Sequence, residues 1–303
     1  MCRFHIAEYF HFIRVLRIRG RIICNVVKLE YNICMEKKPL ELKEIQKCAL
    51  EILVKVAGIC EQNKFRYSLA YGTLIGAIRH KGFIPWDDDI DIFMPRPDYD
   101  AFIEYLHNNH VDNLKLYNTK YSRNYPFAIT RISDERYVIV ESKYKNCGMG
   151  LFIDIYPIDG LGSTTEEALS KYKLTQPFVD EMVGVATCAK YPKRFMFTST
   201  HKYLRLMYAK YFGSYSLQKR IENIVFKCDY DRCEYVGVPL WSWNKPIYKR
   251  AWFEEYVNVM FEGYEFKAIK AYDEYLRMNY GDYMQLPPKE EQIPHHEYNA
   301  YVR

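Results

Sequence analysis

The chain predicts an α/β (α+β) fold: a mixed sheet that carries acidic residues, flanked by helices, with a mainly helical C-terminal portion. Three observations lead there. Apolar residues recur at helical spacing from Leu40 to Asn63. Short apolar runs of strand length follow, ending in Gly150-Leu151-Phe152-Ile153-Asp154-Ile155-Tyr156. Between them, Asp87-Asp88-Asp89-Ile90-Asp91-Ile92 alternates carboxylates with aliphatic side chains, the pattern of a half-buried strand.

The elements follow in order. Ile45, Leu50, Ile52, Leu53, Val56 and Ile59 mark one face of the first helix. Phe65 to Ala70 reads as a first strand. Gly72-Thr73 then turns into a short helix holding Leu74, Ile75 and Ile78. Backbone N–H groups at a helix start suit a phosphate, and the Thr73 hydroxyl adds a donor. Gly82-Phe83-Ile84-Pro85 turns the chain back into a strand over Asp87 to Phe93. Pro97 and Asp98 open a helix through Tyr99, Phe102, Ile103 and Leu106. Strands are expected at 114–118, 126–132, 136–142 and 150–155. From Thr165 the pattern is mainly helical, and 251–280 reads as one or two helices broken at Gly263. There is no internal repeat and no low-complexity linker. The expected organisation is a basic extension at 1–34, a catalytic core at 35–162 and a portion at 163–303 packed on that core.

On a strand, Asp87, Asp89 and Asp91 share one face while Ile90 and Ile92 face the core. Three carboxylates on one edge repel unless a cation lies between them. A solvated acidic loop is the commonplace alternative, and the alternation with Ile90, Ile92 and Phe93 argues against it. A calcium-binding EF-hand loop fails, because its sixth and twelfth positions, counted from Asp87, are Ile92 and Asp98 rather than glycine and glutamate. Asp154, flanked by apolar residues, is a further carboxylate on an expected buried strand. Glycine turn, paired acids and later acid together make a three-part pattern that holds magnesium against a phosphate.

The stretch from Tyr71-Gly72-Thr73-Leu74 through Pro85-Trp86-Asp87-Asp88-Asp89-Ile90-Asp91 resembles the signature of the LicD family. Those proteins are phosphocholine transferases of bacterial surface glycans, related to the fukutin group within the nucleotidyltransferase superfamily. Phe152-Ile153-Asp154-Ile155-Tyr156-Pro157-Ile158-Asp159-Gly160 is similar to the family's second acidic block. Tyr280-Gly281-Asp282-Tyr283-Met284, Leu286-Pro287-Pro288 and His295-His296 are similar to its C-terminal block. The resemblance covers roughly residues 36 to 300 and is loose from about 165 to 250, where acceptor choice is expected.

The resemblance implies a nucleotidyltransferase-like sheet and transfer of phosphocholine from CDP-choline to a hydroxyl of a cell-surface glycan, with release of CMP. The acceptor would be a lipopolysaccharide, teichoic acid or capsule precursor, free or lipid-linked. Another CDP-alcohol, such as CDP-ribitol or CDP-glycerol, is the near alternative, and nucleotidyl transfer with pyrophosphate release is the other. Asp89 and Asp91 are expected to hold Mg²⁺, or Mn²⁺ in its place, with Asp87 adding a contact. Asp154 would join them or help deprotonate the acceptor. Gly72 and Thr73 would cradle phosphate. Arg79, His80 and Lys81 form a basic cluster, with Arg79 or Lys81 on the diphosphate or else solvated. Arg131, in an apolar setting, faces either a phosphate or a partner carboxylate. Of His295 and His296, one is expected to close over the site. Trp86 is expected in the core rather than in a choline cage.

At 303 residues, 49% hydrophobic and 27% charged, the chain is globular rather than disordered. Its 29 tyrosines serve packing or, alternatively, sugar or choline contact. Of the net charge of +5, residues 1–34 carry +4, from six Arg or Lys and two Glu, which leaves +1 for the remaining 269. That core is not a nucleic-acid-binding composition. The basic segment is interrupted too often to span a membrane or serve as a signal peptide. It would lie on an anionic membrane face or precede a start at Met35. Nine scattered cysteines suggest reduced thiols in a cytoplasmic protein, at most peripheral to the inner membrane face. Cys228 and Cys233 lack partners for a zinc site.

Overall fold

A computed structural model describes residues 38–122, 125–141, 143, 144, 146–186, 214–241, 244–294 and 298–303. The basic segment 1–34 and both His295 and His296 lie outside the described residues.

The first helix, α1 (Leu42–Asn63), starts at a capping box between Glu41 and Glu44 and ends at Lys64 in the left-handed conformation. Its buried face carries Ile45, Ile52, Leu53 and Val56, as the periodicity requires. After it come β1 (Ser68–Leu69), the short helix α2 (Tyr71–Ile75), a π-helical turn (Gly76–His80), β2 (Asp91–Pro95) and α3 (Arg96–Asn108). Strands β3 (Leu114–Tyr117), β4 (Thr130–Asp134), β5 (Tyr137–Glu141) and β6 (Leu151–Gly162) complete the first half. The second half holds α4 (Thr165–Ala186), α5 (Tyr215–Val225), β7 (Tyr235–Gly237), β8 (Tyr248–Lys249), β9 (Tyr256–Phe261), β10 (Tyr264–Ile269), α6 (Tyr272–Tyr280) and β11 (Tyr298–Val302).

The main sheet runs β1-β2-β6-β4-β3, with β7 and β8 attached to the far end of β6. It is mixed: β2 and β6 are parallel, and the other pairs are antiparallel. Strand β6 is twelve residues long and buried throughout, which suits a near-continuous apolar run between two neighbours. Helix α1 packs on the sheet through β6 and β4.

Two elements differ from expectation. The strand expected from Asp87 begins only at Asp91. Asp87 N–H closes a turn onto Ile84 O, and Asp87 O accepts from the Gln46 side chain, so this backbone is satisfied outside the sheet. Asp87 and Asp89 therefore precede the strand rather than sharing its face with Asp91. Of the one or two helices expected over 251–280, only α6 forms as an α-helix; a short 3-10 turn at Arg250–Phe253 leads into the hairpin β9–β10. Glu262 and Gly263 both have positive φ, 49° and 82°, the two-residue turn whose twist matches paired strands. Gly263 is thus a hairpin turn and not a helix break. Cys228 and Cys233 are joined in a disulfide, against the expectation of reduced thiols, while Cys48, Cys60 and Cys147 are free. No helix among the described residues is long and apolar enough to cross a membrane.

One buried ion pair ties α3 to the sheet. Arg96 donates to both Asp159 carboxylate oxygens at 2.6 and 2.9 Å, and its guanidinium lies over the Tyr99 ring. Burial pushes the Asp159 carboxyl up and Arg96 opposes the push. Removing one partner strands the other charge in the core. Arg96→Met should therefore cost about 3–5 kcal/mol in chemical denaturation, while Arg96→Met with Asp159→Leu should recover most of it. Equal stability of the single variant and the wild type would contradict this role.

Candidate active site

The site is assembled where β1, β2, β6 and β4 meet. Parallel pairing of β2 with β6 sets Asp91 opposite Asp154, and antiparallel pairing of β4 with β6 sets Arg131 opposite Asp154 on the other side. Arg131 Nε donates to Asp154 Oδ1 at 2.7 Å and Nη2 reaches Oδ2 at 3.4 Å. The guanidinium is held between the rings of Phe127 and Phe152, 4.4 and 4.0 Å from their centres. Of the two alternatives open for Arg131, the structure selects the partner carboxylate.

Among the described residues Asp91 makes no ion pair, and Arg131 acts on it only through its charge. Burial, then Asp89, Asp154 and Asp87, hold its carboxyl well above the usual carboxylate range. Its buried Oδ1 has no hydrogen-bond partner among the described residues. In the preceding turn, Asp87, Asp88 and Asp89 each offer a carboxylate oxygen, all within 4.8 Å of one another. An all-oxygen set of this kind suits a hard divalent cation, and Asp91 lines the same cleft. Asp88 was not expected here. On a strand it would point away from Asp87 and Asp89, and only the turn brings three consecutive carboxylates together.

The glycine turn packs against the acids. A Cβ at Gly72 would lie 2.7 Å from Asp87 Oδ2, so glycine makes room for the carboxylate against the backbone. Thr73 is buried, and its Oγ1 accepts the Asp91 N–H at 2.9 Å, so it supports Asp91 and does not face the cleft. Ala70 N–H donates to Asp91 O, fixing the strand from the other side.

Arg79 lines the cleft, but its Nη1 donates to the carbonyls of Tyr283 and Gln285 at 2.6 and 3.1 Å. It tethers the C-terminal loop. Its Nε donates to His80 Nε2, and burial followed by Arg79 lowers the His80 pKa, keeping that ring neutral. Lys81 has a left-handed φ of 60°, is exposed, and accepts the Glu262 N–H on its carbonyl; it is not among the residues that line the cleft. Trp86 is half-buried: it packs against the core, as expected, and also lines the cleft.

The cleft holds about 1350 Å³. Asp87, Asp89, Asp91, Asp154 and Arg131 lie on one part of it, with Tyr71, Tyr156, Trp241 and Tyr280 beside them. Residues 282–294 supply much of the remaining lining. Aromatic contact was open in the sequence, but 29 tyrosines give no contrast that would single out Tyr71, Tyr156 and Tyr280.

Residues 64–197, which include all these acids, match the family model described as LicD/FKTN/FKRP, nucleotidyltransferase domain. The lipopolysaccharide cholinephosphotransferase LicD of Haemophilus influenzae is 34% identical over 273 residues, covering 88% of this chain and 99% of that protein. The chain belongs to the LicD family. Two uncharacterized rickettsial proteins also match in part. The Rickettsia typhi one is 32% identical over 140 residues, 46% of this chain and 40% of its own. The Rickettsia prowazekii one is 45% identical over 56 residues, 18% of each.

Thr73 makes a sharp test of how this LicD-family site is held. Thr73→Val leaves the buried Asp91 N–H without an acceptor and should cost about 1–3 kcal/mol in urea unfolding, while Thr73→Ser keeps the acceptor and most of the stability. Equal losses in both variants would show that the methyl group, not the hydrogen bond, matters.

Proposed function

We propose that the protein transfers phosphocholine from CDP-choline to a hydroxyl of a cell-surface glycan in the presence of Mg²⁺, releasing CMP. Two things support the reading: the meeting of the Asp87–Asp89 turn with the Asp91 and Asp154 strand pair in one large cleft, and the likeness to a lipopolysaccharide cholinephosphotransferase along nearly that protein's whole length. A lipopolysaccharide precursor is the acceptor that likeness favours.

Asp87, Asp88, Asp89 and Asp91 would hold the cation. When bound, it neutralises diphosphate charge and polarises the phosphorus–oxygen bonds, and Mn²⁺ can take its place. The acceptor hydroxyl attacks the choline-bearing phosphorus, a new phosphorus–oxygen bond forms, and the bond to CMP breaks. Asp154 accepts the hydroxyl proton as that bond forms, and Arg131 holds its carboxylate in position. The loop tethered by Arg79 lines the mouth of the cleft and keeps water from competing with the glycan.

The test is product analysis with a surface-glycan extract and CDP-choline, CDP-ribitol, CDP-glycerol or CTP. Acceptor-dependent CMP is expected from CDP-choline, lost with a chelator and restored by Mg²⁺. Asp89→Asn and Asp91→Asn should each lower kcat at least about a hundredfold with folding intact. Pyrophosphate from CTP with no CMP from any CDP-alcohol would replace this reading with nucleotidyl transfer.

A further inference from the structure

The chemistry at phosphorus leaves one wall of the cleft without a task. Tyr71, Tyr156 and Trp241 form a continuous aromatic row there. The rings of Tyr71 and Tyr156 are 5.1 Å apart and edge-on, and those of Tyr156 and Trp241 are 6.4 Å apart. Tyr71 has a φ of 45°, a conformation that bulky residues rarely adopt. Its ring is fixed there against Phe93 at 4.8 Å.

The row begins beside the acids. Tyr156 follows Asp154 by two residues on β6, so both project from one face at a spacing of about 6.6 Å. Tyr71 immediately precedes Gly72, against which the Asp87 carboxylate lies. A group attached to a phosphate at the acids would therefore reach these rings. The surrounding charge is negative. Arg79 is engaged by backbone carbonyls and Arg131 by Asp154, while Asp282, Glu290 and Glu291 add carboxylates to the lining. Aromatic faces in an acidic setting stabilise a cation, and the faces themselves, unlike the Tyr71 and Tyr156 hydroxyls at the ring edges, offer no acceptor for N–H donors. A trimethylammonium group set against those faces has no N–H to satisfy, whereas a primary ammonium there loses water from its donors and is better served by the carboxylates elsewhere in the lining.

We infer that Tyr71, Tyr156 and Trp241 form a pocket that selects a quaternary ammonium group on the donor alcohol over a primary ammonium or a neutral polyol. The inference rests on the proposed phospho-alcohol transfer and assigns the residues that choose the alcohol.

The experiment compares Trp241→Leu and Trp241→Phe with the wild type. KM is measured for CDP-choline and CDP-ethanolamine, and tetramethylammonium binding is followed by NMR. Trp241→Leu should raise KM for CDP-choline about tenfold and change that for CDP-ethanolamine less than twofold. Trp241→Phe should keep most of the preference and retain tetramethylammonium binding, which shows that the fold is intact. Equal losses for both donors would mean that the row stacks on the nucleobase or serves packing, and would overturn the pocket. CMP release from CDP-choline with unchanged selectivity in Trp241→Leu would overturn the pocket and leave the proposed reaction standing. Tetramethylammonium binding that depends on Trp241, with no turnover of CDP-choline, would support the pocket and overturn the reaction.

Discussion

Like charges held close together in a buried sheet are the constraint on which the rest of this structure depends. Strand β6 lies between β2 and β4, and its register sets Asp154 between Asp91 and Arg131. Arg131 serves Asp154 and leaves Asp91 facing the acids of the preceding turn. A protein that needed only a stable sheet would place apolar side chains at these positions. The arrangement is understandable as a site kept at a cost to stability, which is the usual relation between function and fold at such centres. Around it, the local sequence removes other sources of strain: Gly72 clears space for Asp87, Thr73 satisfies the Asp91 N–H, and Gln46 satisfies the Asp87 carbonyl.

The C-terminal segments brace this centre from outside the main sheet. The β9–β10 hairpin donates from Ile269 N–H to Ser68 Oγ and from Lys267 N–H to the Tyr67 hydroxyl, so it lies along β1. Glu262, at its turn, accepts the Phe83 N–H in the loop that leads to the acids. Strand β11 pairs with β5, and the Tyr298 hydroxyl reaches the Asp88 carbonyl. Arg79 joins the first half of the chain to the 283–285 loop. The second half thus holds the acidic turn in place as well as lining the cleft.

Much of this was legible in the sequence. The α1 periodicity, the short strands through 151–155 and the mixed sheet follow from hydrophobic spacing, because those elements bury one face or two. Asp89, Asp91 and Asp154 were legible as a group for the same reason: acids inside apolar runs are costly without a purpose. The 251–269 hairpin was not, because Gly263 punctuates a helix and a hairpin alike, and only the alternation in Tyr256-Val257-Asn258-Val259 separates them. Asp88 was hidden by the strand reading, which assigns it to the wrong face. The tether made by Arg79 joins residues about 200 positions apart and leaves no local signal. The contacts of Gly72 with the Asp87 carboxylate and of Thr73 with the Asp91 N–H had no signal in the sequence, because they join a turn to residues 15 and 18 positions away.

If the acids are held for a divalent cation, thermal unfolding with and without Mg²⁺ will reveal it. A ligand bound only by the folded state raises its stability. Mg²⁺ should raise the melting temperature of the wild type. Asp91→Asn should be more stable than the wild type without Mg²⁺ and gain little when it is added. A wild-type melting temperature indifferent to Mg²⁺, with Asp91→Asn no more stable in its absence, would contradict that role of the acids.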